Sequence, residues 1–136
     1  MDHDTRVLAE AQHGLLGTWQ LRERGWSRSA VRWALARGTL VPVRPRVVAV
    51  GVRRRATEAE FLAAVLDLGP DAVLSHGSAA ALWDLMPGPR AIHVTVRKQR
   101  RAAHDVVAHR SAVSGADRTV RAGVPVTALP RTLVDL

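Results

Sequence analysis

Six histidines, at positions 3, 13, 76, 93, 104 and 109, and twelve carboxylates are the groups on which this 136-residue chain could build acid-base or metal chemistry. It has no cysteine, which excludes disulfides, thiolate zinc sites, iron–sulfur clusters and thiol nucleophiles together. The histidines lack a compact metal spacing and none begins an HExxH helix, so no metal and no other cofactor is expected. His93 and His109 stand in two β-patterned stretches and could meet on neighbouring strands, where satisfied structural histidines are the expected outcome. Ser75, His76 and Asp84 supply the residue types of a hydrolase triad, but Ser75 sits where a helix cap is expected and no glycine elbow surrounds it. A metal nuclease centre ending in Glu-x-Lys needs a carboxylate two positions before Lys98, and Val96 stands there. The chain therefore reads as a non-enzyme.

What remains is arginine. Twenty cations face twelve acids, a formal charge of +8, and all but Lys98 of those cations are arginines. Residues 1–50 carry eight cations against four acids, so a large share of the excess lies in the first part of the chain. Such a field attracts polyanions, nucleic acid first and an acidic membrane surface second. Apolar residues make up 47% of the chain, enough for a core, and no apolar run approaches the roughly 20 residues of a membrane span. The first residues, MDHDTRVLAEAQHG, lack the basic and apolar regions of a secretion signal, so a cytoplasmic location is expected.

The arginines need elements to position them. Val7, Leu8 and Ala11 recur at helical spacing over residues 5–13, and Gly14 stops that helix. A second short helix spans Thr18 to Arg24 before Gly25. Ser27 is a polar cap, RSAVRWALAR comes next and Gly38 terminates, which delimits a third helix from Arg28 to Arg37. At 100° per residue, Val31, Ala34 and Leu35 form its core face, while Ser29, Arg32, Trp33, Ala36 and Arg37 point away. Arg28, Arg32 and Arg37 can thus reach phosphates, or guanine O6 and N7 in a major groove. Trp33 is expected to pack on the adjoining hairpin or on an added dimer surface, because bases in a duplex are not free to stack on it. TLVPV and RVVAV, joined through Arg44, Pro45 and Arg46, read as a hairpin with a basic tip placed to touch a flanking minor groove or backbone. Three short helices and a hairpin give the winged helix-turn-helix order over residues 1–52.

Residues 57–136 read as a small α+β subdomain. Thr57-Glu58-Ala59-Glu60 has the form of a capping box ahead of Phe61, Leu62, Val65 and Leu66, and this helix stops at Gly69-Pro70. Ser75 is the expected cap of a further helix over about Gly77 to Leu85, ended by Pro87-Gly88-Pro89. Ile92, Val94 and Val96 alternate with His93, Thr95 and Arg97, and 105–109 and 124–127 look like further strands. Arg53 to Arg55 and RKQRR at 97–101 are charge runs of the kind that is usually only solvated, with nonspecific affinity as their possible contribution. Pro130 opens a last helix whose Leu129, Leu133 and Leu136 share a face, expected to serve a homodimer, a toxin partner or a missing C-terminal domain.

GWSRSAVRWALARGTLVPV, VVAVG, LAAVLDLGPDAVLSHGSAAALW, IHVTV, AHRS and GVPVTALPRTLVDL together resemble the actinobacterial proteins with an AbiEi-antitoxin-like N-terminal domain, over nearly the whole chain. The resemblance implies a winged helix-turn-helix followed by a small α+β domain. It also implies double-stranded DNA as partner, by analogy with antitoxins of type IV toxin–antitoxin systems that repress their own operon. Carried onto this chain, that function falls on Ser27, Arg28, Ser29 and Arg32 and on the wing around Arg44. Many members continue into a Vsr-like endonuclease region; this sequence ends at RTLVDL, where that region begins, so no nuclease activity is carried over. A protein-docking module or a truncated part of such a nuclease fusion is the alternative.

Overall fold

The computed structural model describes residues 1–136, an α+β arrangement of six helices and two sheets. Its N-terminal part runs α1 (His3–Ala11), β1 (Leu15–Gly17), α2 (Thr18–Glu23), α3 (Arg28–Arg37), β2 (Leu40–Arg44) and β3 (Val47–Val50). The rest comprises α4 (Thr57–Asp67), β4 (Val73–Leu74), α5 (His76–Leu82), β5 (Ile92–Val96), β6 (Val106–Arg110), β7 (Arg118–Arg121), β8 (Val124–Thr127) and α6 (Leu129–Asp135). The first sheet has the order β1-β3-β2 and is antiparallel throughout. The second, β6-β5-β4-β8-β7, is mixed: β5–β6 and β4–β8 are parallel, β4–β5 and β7–β8 antiparallel.

The helix α4 lies between the sheets. Ala59 and every residue from Phe61 to Asp67 are buried, so this helix is enclosed on all sides rather than on one stripe. It contacts β1, β2 and β3 on one side and β4, β5 and β8 on the other. The largest core cluster accordingly takes Leu15, Val47 and Ala49 from the first sheet together with Leu62, Val65, Leu74, Val94 and Val126. A smaller cluster of Ala9, Leu16, Leu21, Ala34, Leu40 and Val48 fixes the three N-terminal helices on the other face of the first sheet. Alternation along β1 and β3 divides their side chains between these two cores.

Both expected caps around α4 and α5 take a different form. Thr57 is the first helical residue rather than the cap; Ala56 precedes it and no side chain caps the end, although Glu58 and Glu60 complement the helix dipole there. Ser75 does stand at the cap position of α5, yet its Oγ makes no capping bond. It is buried, accepts from Thr95 Oγ1 at 2.7 Å and lies 2.9 Å from His76 Nδ1, so the strand beneath has outcompeted the helix for it. The strands β1 and β7 also lie where the sequence pattern marked none: β1 has only three residues, all buried, and β7 (RTVR) carries a single apolar side chain, itself exposed.

Candidate nucleic-acid interface

The local chemistry that shapes α3 is plain. Ser27 Oγ accepts from the Ala30 amide at 3.0 Å, satisfying one of the first-turn donors. At the other end Gly38 adopts φ +79°, and the Gly38 and Thr39 amides close onto Leu35 and Ala34. Ala34 is buried with Val31 and Leu35 packed beside it, which turns Arg28, Ser29, Arg32, Trp33 and Arg37 to solvent. None of these three arginines has an acidic partner.

Arg28 and Arg32 do not stand alone. With Thr18 and Arg22 of α2, Ser27, Val31, and Pro45 and Arg46 of the β2–β3 turn, they line a cleft of about 500 Å³. Four arginines and no carboxylate border it, so a cation-rich concavity faces solvent at the N-terminal end of α3, where the helix dipole also favours an anion. Sequence reasoning did not single out Thr18 and Arg22; their i, i+4 spacing, with Leu21 directed to the core, was the signal. Arg37 is not part of the cleft. Its guanidinium lies 4.5 Å from the centre of the Trp33 ring, so the two exposed side chains stack on each other near the far end of the helix. Trp33 itself stays 65% exposed and borders a cleft with Trp26, Ala30 and Leu40, the first residue of β2. Ser29 is exposed but also stands outside the cleft.

The arginines of the hairpin tip are placed differently from the expectation. A register shift between Pro42 and Arg44 leaves Val43 as an extra residue opposite Val47 and Val48, and this bulge re-aims the tip beyond it. Arg44 turns inward, its side chain 8% exposed, and forms a two-pronged pair with Asp105 at 3.0 and 2.7 Å. Its charge is held by that carboxylate, and the Asp105 carboxyl is in turn held below its ordinary range by the hydrogen bond from Arg44. Arg44 is therefore a structural cation, not a wing-tip contact. Arg46 is half-exposed: its amide donates to Asp67 Oδ1 at 2.9 Å, and its guanidinium reaches Asp67 at 3.7 Å and the Arg101 carbonyl at 3.4 Å. The buried Asp67, at the end of α4 where the dipole disfavours an anion, requires such partners. Trp19 Nε1 donates to the Leu66 carbonyl at 2.9 Å in the same corner. The tip is thus fastened to the end of α4 and to the segment between β5 and β6, with Pro45 exposed.

The structure also assembles three of the histidines. His93 Nδ1 and His109 Nε2 are 2.8 Å apart, and the His76 ring stacks on His109 at 3.7 Å. All three pKa values lie below the usual 6.5, first because burial penalises the charged form and then because another histidine of the group is close to each. Asp135 opposes this shift at His76 and His109. One ring nitrogen of the 93–109 pair must donate and the other accept, which two protonated rings cannot do. No three histidine or acidic side chains are arranged to hold a metal ion. The hydrolase triad does not assemble: Asp84 is exposed and bound by Arg121 at 3.3 Å, and Ser75 is buried.

Fold and site together define an α+β protein with an acid-free concavity of clustered arginines built by two helices and a turn. The chain matches no family model and no curated protein sequence. No helix is long and apolar enough to cross a membrane.

Proposed function

We propose that the chain is a sequence-specific regulator that binds double-stranded DNA, with α1, α2 and α3 and the β2–β3 hairpin acting as a winged helix-turn-helix. The observation that carries this reading is the cleft bordered by Arg22, Arg28, Arg32 and Arg46 with no carboxylate in its lining, in which Arg22, Arg28 and Arg32 are exposed and have no acidic partner. Arg28 and Arg32 project from the first half of α3, the part of a recognition helix that meets base edges. Thr18 and Arg22 of α2 flank it in the same cleft and are the side chains suited to phosphate, setting register without reading sequence. A repressor of its own operon, in the manner of the antitoxins that the sequence resembles, would bind as a homodimer on two half-sites about one turn apart.

A second reading has its own observation. On α6, Leu133 is 57% and Val134 81% exposed, with Leu129 and Leu136 also at the surface. This apolar face suits a docking module that meets a second copy, a toxin or another domain.

The test is Arg32→Ala. If Arg32 reads a base, affinity for a specific site falls by roughly 1–3 kcal/mol and discrimination at one position relaxes. If it holds a phosphate, binding weakens on all sequences alike and the salt slope flattens by about one. Parent and variant binding equally, with no response to salt, would refute the assignment.

A further inference from the structure

Resting on the DNA-binding reading, we infer that the β5–β6 loop of the second sheet is a further phosphate-binding element, standing where a free hairpin tip would otherwise meet the duplex. The loop contains Arg97, Lys98, Gln99, Arg100 and Arg101, all exposed and without an intervening acid. A charge run of this kind is ordinarily a solvated surface. Here the two ends of the run are held by the same contacts that engage the charges of Arg44 and Arg46. Asp105, which closes the loop, holds Arg44 in two hydrogen bonds, and Arg46 donates to the main-chain carbonyl of Arg101. The β2–β3 turn and the loop are consequently neighbours through fixed geometry, and not only through shared charge.

The turn stands between two concavities. Pro45 and Arg46 border the α2–α3 cleft on one side; on the other they border a second cleft, about 430 Å³, with Asp67, Arg101, Ala102 and Ala103. Asp67 is already matched by Arg46, so the outward charge of this second cleft is that of Arg101. Arg100 lies over Gly69 at the end of α4, its guanidinium carbon 3.2 Å from where a Cβ would stand, and keeps an open face to solvent. Cations therefore continue from Arg28 and Arg32 across Arg46 to Arg101 and, over the end of α4, to Arg100, with Lys98 exposed in the same loop. A duplex seated on α3 presents its flanking backbone on the side of the turn, and that backbone carries one charge per roughly 3.4 Å of each strand. The ligand class is the sugar-phosphate backbone of duplex DNA. The expected contribution is affinity and register, without base discrimination.

The experiment compares three proteins: the parent, Lys98→Ala/Arg100→Ala/Arg101→Ala, and Arg28→Ala/Arg32→Ala. Each is titrated with salt on a duplex carrying the gene's own upstream region and extending a full turn beyond the α3 footprint, and on a scrambled duplex. The loop substitutions leave the anchor intact, because it uses the Arg101 carbonyl and Asp105, and thermal unfolding checks that. The inference expects the loop variant to lose about 0.9 of salt slope per phosphate contact removed, roughly 2 to 3 in all, with the native-to-scrambled ratio unchanged. In a phosphate footprint the parent protects flanking positions that single Lys98→Ala and Arg101→Ala variants leave open. A loop variant matching the parent in slope and footprint, while the α3 variant loses binding, overturns this inference and leaves the α3 reading standing. A parent that binds neither duplex overturns both.

Discussion

Two groups of arginines, only a few residues apart in sequence, have opposite fates. Arg28 and Arg32 stand on a helix with a serine cap, a glycine stop and an apolar inner face, and nothing acidic reaches them. Arg44 and Arg46 lie in a short hairpin and meet Asp105 and Asp67, 61 and 21 residues further along the chain. The first pair keeps its charge available for a ligand, whereas the second uses it to tie the hairpin to the end of α4 and to the turn before β6. Identical side chains thus act as binding or structural groups according to partners brought in by tertiary structure.

The sharpest way to break this comparison is through stability. Asp105→Ala strands the nearly buried Arg44 charge, and we expect a loss of about 2–3 kcal/mol in urea unfolding, below the cost of a fully buried pair because Asp105 itself is partly open. An unchanged midpoint would make Arg44 a free cation after all. Acid supplies the next effect. Because the folded-state pKa values of His76, His93 and His109 lie below 6.5, the unfolded chain takes up protons first as pH falls through 6.5. Stability should then be greatest above that value and decline towards pH of about 5.5, with less decline in His93→Gln. The depressed carboxyl of Asp105 acts in a separate window, below its ordinary 3.8. A flat profile between pH of about 7.5 and about 5.5 would contradict the packing of the three rings.

Smaller effects sharpen the other half of the comparison. Ser27→Ala removes the cap of α3 and should cost about 1 kcal/mol, measured by the same unfolding. Arg28→Ala and Arg32→Ala should each change stability by no more than about 0.5 kcal/mol, since they are exposed and unpaired. A larger loss would mean that these arginines, too, are structural.

The extent of α3 was legible because its boundaries are local chemistry: a serine before, a glycine after, and apolar residues at helical spacing between. The strands β5 and β8 were legible through β-branched composition and alternation. Arg44 was misplaced because two facts outside its local pattern decide it, the bulge at Val43 and the Asp105 carboxylate in the turn before β6. The enclosure of α4 was similarly hidden, since a capping-box pattern and an apolar run do not reveal that a sheet covers each side. Arg22 went unmarked although its exposed helical position was readable, because its relation to Arg28 arises only from the turn at Gly25. The histidine pair was foreseen as strand neighbours, whereas His76 joins it through a left-handed backbone at φ +53° that no spacing rule indicates.

The most direct test of the central claim, that the α2–α3 cleft reads duplex DNA, is a salt titration of the purified chain on its own upstream duplex against a scrambled duplex of equal length. The account predicts tight binding to the native duplex that persists at near-physiological salt while the scrambled one is released. Equal binding to both, lost steeply as salt rises, would contradict it and reduce the +8 charge to nonspecific polyanion affinity.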